Sequence, residues 1–192
     1  MKNPDIEIKN IQLLSDNYYI LNKVTFGYKT ETVNETHNRE VYDRGNGAAI
    51  LLYNSAKKTV ILTRQFRLPT YLNGNASGMM IEVCAGLLDQ DNPEACVIRE
   101  AEEETGYRVT KVDKVMQTYM SPGAVTEILH LFVGEYNEQM KISEGGGLEE
   151  EQEHIEVLEL SFDEAFAMIE SGEIVDAKSI LLLQHAKIKG LV

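Results

Sequence analysis

Residues 86–107 read GLLDQDNPEACVIREAEEETGY, and the local structure they dictate sets what the flanking chain must supply. Asn92 is placed to cap a helix, Pro93 fits its first turn, and Gly106 closes it. Val97, Ile98, Ala101 and Thr105 fall on one face, suited to meet a sheet, and Glu100, Glu103 and Glu104 lie to one side of it. The preceding run, MMIEVCAG (79–86), reads as a short strand ending in a turn. The unit is therefore strand, turn, helix.

Glu100 and Glu104 are four residues apart and Glu103 is three from Glu100, so the carboxylates crowd one another. Each like-charged pair costs roughly a few tenths of a kcal/mol on an exposed helix. Glu103 and Glu104 also sit in the C-terminal half, where the helix dipole disfavours negative charge. Such a cluster is either a solvated acidic face or a cation site, and Arg99 neutralises part of it under both readings. Oxygen donors without clustered Cys or His suit Mg²⁺ or Mn²⁺ rather than zinc. Gly86 permits close backbone approach, which brings the Ala85 carbonyl into reach as a further ligand. A second acidic cluster, Glu149, Glu150, Glu151 and Glu153, lies in the Gly-rich loop 143–154. This is either an exposed loop or one that closes over a substrate, carrying a general base or another ligand. Its GGG is not a phosphate loop, because no Lys-Ser/Thr pair follows.

Working outward, AAILLYN (48–54), the turn SAKK and TVILTRQFR (59–67) predict a hairpin that carries Arg64 and Arg67 to its end. Residues 68–78 read as a loop. Strands are expected at 112–119, 128–136 and 155–160. A helix opens at Ser161 with Glu164 in a capping box and stops at Gly172, and a largely apolar helix starts near residue 177. Residues 17–29 and 38–43 read as two strands about a polar turn, a β arm or small sheet ahead of a main domain that starts near Gly45. The hairpins require antiparallel neighbours, so the fold class is α/β with a mixed sheet and helices on both sides.

The 192 residues suffice for one sizeable core, and 43% apolar composition suits an ordered protein. With 31 acidic against 18 basic residues the formal charge is −13, which removes any overall attraction for nucleic acid or anionic lipid. No basic groove with aromatic platforms is apparent. No apolar run follows the first basic residue as in a secretory signal, and none is long enough to span a bilayer. Cys84 and Cys96 read as free, buried thiols of a cytoplasmic protein.

Residues 86–107 resemble the Nudix box, G-x5-E-x7-R-E-U-x-E-E-x-G-U with U apolar. Arg99, Glu100, Ala101, Glu103, Glu104, Gly106 and Tyr107 fall in register. The interval from Gly86 to Arg99 is one residue short, and Asn92 stands near the first expected Glu. The N-terminal strands, AGLLD, YMSPGAVTE and GGGLEEEQEHIEV are similar to the dimeric ADP-ribose and nucleotide-sugar branch of that family. SDNYY, REVYDRGNGAAILLYN, RQFR and GEIVDAKS carry a likeness to its members acting on GDP-mannose.

The resemblance implies a Nudix α/β/α sandwich, with a small N-terminal antiparallel region (1–44) exchanged in a homodimer and a hydrolase domain over 45–192. It implies Mg²⁺-dependent hydrolysis of GDP-mannose to GMP and mannose 1-phosphate, with Mn²⁺ able to substitute. The implied metal ligands are the Ala85 carbonyl, Glu100, Glu104 and Glu153. Glu151 is the implied general base, with Glu103 orienting water or holding a second metal; alignment from either end of the loop lets Glu151 and Glu153 exchange roles. Tyr18 is assigned to the nucleotide and Arg67 to the phosphates, with Asn38, Arg39 and Glu40 of the partner subunit. Ala85, Gly86, Leu87, Glu104, Glu127, Gln152, Glu153 and Lys178 complete the implied substrate set. Read singly, these arginine and lysine side chains are ordinary ion-paired or solvated residues, and Tyr18 is ordinary packing. Asn38 stands where a Lys is expected, which shifts its contribution to backbone groups. Two other readings stay open: a pyrophosphatase of ADP-ribose or another nucleotide sugar, and a non-catalytic nucleotide-sugar sensor with a shortened box.

Overall fold

The computed structural model describes residues 2–88, 92–148, 150 and 153–192. They form two compact units, one from the chain up to Asn46 with Tyr119–Ile128, the other from Gly47–Thr118 with Leu129–Val192.

In the first unit β1 (Asp5–Asp16), β2 (Ile20–Lys29) and β3 (Asn34–Asp43) form an antiparallel sheet in the order β1-β2-β3. The expected pair of strands is therefore a trio. The added strand, β1, carries register shifts between Ile8 and Asn10 and between Leu13 and Ser15. Ile6, Ile8 and Ile11 pair with Tyr28, Phe26 and Val24, so one face is apolar, and these three isoleucines are exposed. Residues 119–128 dock on the end of β3, where Tyr42 bridges Val125 and Thr126 Oγ1 donates to Asp43 at 2.9 Å.

The second unit holds a seven-stranded sheet. Its order is β10 (Glu156–Ser161), β5 (Thr59–Phe66), β4 (Gly47–Asn54), β9 (Ile128–Glu135), β8 (Asp113–Tyr119). β4 runs parallel to β9 and antiparallel to β5, so the sheet is mixed, as the hairpins require. At the β4–β5 turn, Asn54 Oδ1 accepts the amides of Ala56 and Lys57, a side-chain mimic of a backbone turn. The stretch 79–86 is not one strand. It divides at Val83 into β6 (Met79–Glu82), paired with β5, and β7 (Cys84–Leu87), paired with β4. Part of 68–78 is a short helix, α1 (Leu68–Leu72), with Pro69 in its first turn.

The second helix, α2 (Pro93–Thr105), packs Cys96, Val97 and Ala101 on Ala48, Ile50 and Leu52 of β4 and on Phe132 of β9. Each fully buried aliphatic side chain there contributes roughly 1.5–3 kcal/mol. The alternate β4 residues, Ala49 and Leu51, are also buried, and α4 (Ala177–Lys189), with Leu182, Leu183 and Ala186 buried, contacts the same strand. Between them α3 (Phe162–Ser171) has the expected ends: Ser161 Oγ accepts the Glu164 amide, and Gly172 closes it in the left-handed region. No described helix is long and apolar enough to cross a membrane.

Candidate active site

Helix α2 is held at both ends by the residues read from the sequence. Asn92 Oδ1 accepts the Ala95 amide at 2.9 Å, and Gly106 takes φ 78° at the C-cap. The three glutamates do not share one environment. Glu104 turns inward and is 2% exposed. It accepts the Ala85 amide at 3.3 Å and a hydrogen bond from the Cys84 thiol. Burial raises its pKa to about 8; Glu100 and Glu153 push the same way, against the Cys84 and Ala85 bonds. The Cys84 thiol is itself pushed well up, by burial and by Glu104.

Glu100 lies over β7. A Cβ on Gly86 would stand 2.1 Å from Glu100 Oε1, which is why that strand position has no side chain. Arg99 spans the exposed flank, with Nη2 at 2.9 Å from Glu100 and Nη1 at 2.9 Å from Glu103. Glu103 is thus ion-paired at the rim while Glu104 is inside.

The Gly-rich loop is fitted to the end of α2. Gly146 and Gly147 donate their amides to the Glu104 and Glu103 carbonyls, at 2.9 and 3.2 Å, which the helix leaves without partners. Gly145, Gly146 and Gly147 have φ of 70°, 111° and 81°, and a Cβ on Gly145 would stand 2.5 Å from the Glu104 carbonyl oxygen. The loop returns through Glu153, whose Oε2 accepts the Leu148 amide at 3.3 Å. Gly147 leaves it room, since a Cβ there would stand 2.4 Å from that oxygen. Glu104 therefore lies within electrostatic reach of both Glu100 and Glu153. Glu149, Glu151 and Gln152 lie outside the described residues.

Among the described residues no three His, Cys, Asp or Glu side chains stand as a ready-made metal cluster. The donor chemistry nevertheless suits a hard cation: Glu104 meets the Ala85 backbone, and its carboxyl is held at about 8 by burial and by the like charges of Glu100 and Glu153. A divalent cation would relieve that conflict.

Arg67 and Lys178 meet at a residue the sequence reading passed over. Arg67 Nε donates to Glu82 Oε2 at 2.7 Å, and Lys178 Nζ donates to Glu82 Oε1 and to Asp176 Oδ1, the latter at 2.9 Å. Glu82 is buried on β6. Burial alone would raise its pKa, but Lys178 and Arg67 outweigh it and hold the carboxyl below its usual range. Burial would lower Lys178, but Glu82 and Asp176 outweigh it and hold the ammonium above. The available signal was a carboxylate inside an otherwise apolar strand, MMIEVC. Arg64, expected beside Arg67, instead pairs with Glu156 of β10 at 2.9 Å.

The remaining candidates belong to the first unit. Tyr18 is 87% exposed and meets Tyr19 edge-on. Thr25 Oγ1 donates to Asn38 Oδ1 at 2.6 Å, and Arg39 Nη1 donates to the Asn38 carbonyl at 2.8 Å. Strand alternation puts Asn38 and Glu40 on one face and Arg39, opposite Val24, on the other, so their three side chains do not point one way. Glu127 pairs with Arg44 at 3.7 Å.

Residues 43–184 match the NUDIX domain model, and residues 5–42 match the model of the GDP-mannose pyrophosphatase NudK N-terminal domain. The chain belongs to the Nudix family, whose chemistry is hydrolysis of phosphoric anhydrides. It is 58% identical over 186 residues to a GDP-mannose pyrophosphatase of Pectobacterium atrosepticum, covering 96% of this chain and 95% of that one. Proteins of the same name from Yersinia pestis and Cronobacter sakazakii are 56% and 51% identical. Those matches cover 95% and 98% of this chain, and 93% and 98% of the relatives.

Proposed function

We propose that the protein hydrolyses the pyrophosphate bond of GDP-mannose, giving GMP and mannose 1-phosphate. The observation that carries this reading is identity of 51–58%, over nearly the whole chain, to enzymes bearing that substrate in their names. Glu104 against Ala85, with the charges of Glu100 and Glu153 acting on it, supports a pyrophosphatase site.

Glu100, Glu104, Glu153 and the Ala85 carbonyl are the residues that would hold Mg²⁺, or Mn²⁺ in its place. When bound, the cation offsets the charge of the pyrophosphate and acidifies water. Gly86 and Leu87 present the end of β7 beside these ligands. Arg67 and Lys178 lie against the phosphates and stabilise charge that builds on their oxygens. Glu151 takes the proton of the attacking water, or Glu153 does if the two exchange roles, and Glu103 orients that water. Gln152 contributes to substrate contact from the same loop. No covalent intermediate with the protein is needed.

In this reading residues 1–44 form a dimerisation arm and 45–192 the hydrolase domain. The exposed row Ile6, Ile8 and Ile11 favours burial against a second copy. Such exchange brings Asn38, Arg39 and Glu40 of the partner subunit to the substrate, with Tyr18 at the nucleotide and Glu127 nearby. The two buried cysteines, neither in a disulfide, fit a cytoplasmic setting.

The test is turnover of GDP-mannose, ADP-ribose and other nucleotide sugars with Mg²⁺ and with chelator, products resolved by chromatography. Preference for GDP-mannose yielding GMP supports the reading; preference for ADP-ribose overturns the substrate, and binding without turnover favours a sensor. Light scattering tests the dimer, and a monomeric mass refutes the exchange.

A further inference from the structure

Three elements of the second unit end on one buried carboxylate. Arg67 follows β5, Lys178 stands in the first turn of α4, and Glu82 closes β6 between them. One step along the chain, the Val83 amide donates to Ser179 Oγ at 2.8 Å, and the Ser179 hydroxyl donates to Asp176 Oδ2 at 2.6 Å. Asp176 also caps α4 by accepting the Ser179 amide at 3.0 Å. The start of α4 is thus pinned to the break between β6 and β7, two residues before Ala85.

We propose that Glu82 is a positioning residue for phosphate hydrolysis, fixing Arg67 and Lys178 as one aimed pair of cations. The inference rests on reading those two as phosphate-binding groups, a role given above. Arg67 reaches Glu82 through Nε, which leaves the terminal nitrogens of its guanidinium out of that bond. An ammonium has three donors; the Glu82 and Asp176 bonds leave Lys178 one for a further acceptor. Glu82 therefore holds both cations by one side while the other side stays available to an anion. Its negative charge also keeps the pair from acting as a strong anion trap, so its loss harms alignment more than attraction.

The chemistry of the substituted residue sharpens this. A glutamine at position 82 has one acceptor oxygen and one amide that can only donate. It can satisfy one cation and must turn a donor toward the other. Both positive charges remain, so a diphosphate is still drawn in, but their aim is lost. Misplacement by about 1 Å near reacting atoms lowers rates by about 100-fold.

The experiment is a double-mutant cycle on the full chain with Glu82→Gln, Arg67→Ala and both together, assayed well below each melting temperature. The readouts are kcat and KM for GDP-mannose with Mg²⁺, and Kd for GDP by calorimetry. Glu82→Gln is expected to lower kcat by about 10- to 100-fold with Kd for GDP within about threefold of wild type. In the Arg67→Ala background the same change should cost much less, because Glu82 acts partly through Arg67. A purely structural role lowers the melting temperature but leaves kcat and adds independently to Arg67→Ala. Folded Glu82→Gln protein with wild-type kcat, or an undiminished loss in the Arg67→Ala background, overturns the proposal. If Glu82→Gln alone does not fold, the comparison is made within Lys178→Met, which leaves no buried ammonium behind. Should the wild type prefer another nucleotide sugar, the cycle is run with that compound, and the GDP-mannose reading falls while the Glu82 inference is still decided.

Discussion

Placing a methyl group on Gly86 tests whether the position of Glu100 matters to the chemistry. A Cβ there would lie 2.1, 2.2 and 2.6 Å from Glu100 Oε1, Cδ and Cγ. Relief to an ordinary contact near 3.4 Å needs the carboxylate to shift by about 1.3 Å. The backbone at Gly86 is not in the left-handed region, so the clash with this side chain is the main obstacle. Glu100 can move, but only by disturbing its 2.9 Å pair with Arg99. Overpacking of this kind costs about 1–3 kcal/mol. At about 2–4 °C per kcal/mol for a chain of this size, the melting temperature should fall by several degrees while the fold persists. With Glu100 in its proposed role as a ligand, a displacement of more than about 1 Å should reduce kcat by about 100-fold and raise the Mg²⁺ concentration needed for half-maximal rate. Steady-state kinetics across a Mg²⁺ series, with circular dichroism as the control, measure both. A folded Gly86→Ala protein with wild-type kcat and unchanged Mg²⁺ dependence refutes the placement of Glu100 at the reacting centre.

Glu104 has a folded pKa of about 8 against an ordinary 4.5, so its contribution to stability is intact below pH 4.5 and is lost as pH rises toward 8. In chelator, Glu104→Gln should therefore melt increasingly above wild type between pH 5 and 8.5, by a few kcal/mol at roughly 1.4 per unit, while losing activity; a constant gap refutes it. Glu82 titrates in the opposite sense, its folded pKa lying below 4.5, so its stabilisation is present above that value and is lost as pH falls through the folded pKa. Glu82→Gln should cost about 3–5 kcal/mol near neutrality, a deficit in denaturant melts that must shrink in acid. Asn92→Ala removes the cap of α2 and should lower stability by about 1 kcal/mol, read as a melting shift of a few degrees.

Helix α2 was legible because every signal agreed: a capping Asn, an early Pro, apolar spacing and a terminal Gly. The same agreement marked α3 and the β4–β5 hairpin. β1 was not legible, for a physical reason. Its apolar residues run Ile6, Ile8 and then Ile11, Leu13, so the alternation changes phase at the irregularity between Ile8 and Asn10. A period-two reading cannot follow that slip. The division of 79–86 at Val83 was equally hidden, because both halves are strand and only their partners differ. At the site, helical spacing placed Glu100, Glu103 and Glu104 together but did not show that Glu104 alone turns inward. That depends on Ala85 and Cys84, which β7 delivers from 19 and 20 residues upstream. Glu82 needed knowledge of three elements that meet only in the folded chain.

The link from Val83 to Ser179 and that from Glu82 to Lys178 each span 96 residues. Contacts so far apart in sequence form late, after the intervening chain has ordered. During synthesis, a chain halted before α4 would carry Glu82 on β6 with neither its ammonium partner nor the hydroxyl that anchors the next residue. Such a product would hold the glutamates of α2 and strand β7 beside them, yet leave Glu82 with Arg67 but without Lys178 to offset its charge in a place meant to be dry. Helix α4 thus acts as a completeness check on the second unit, since a copy truncated before it lacks both the ammonium at Glu82 and the anchor at Val83.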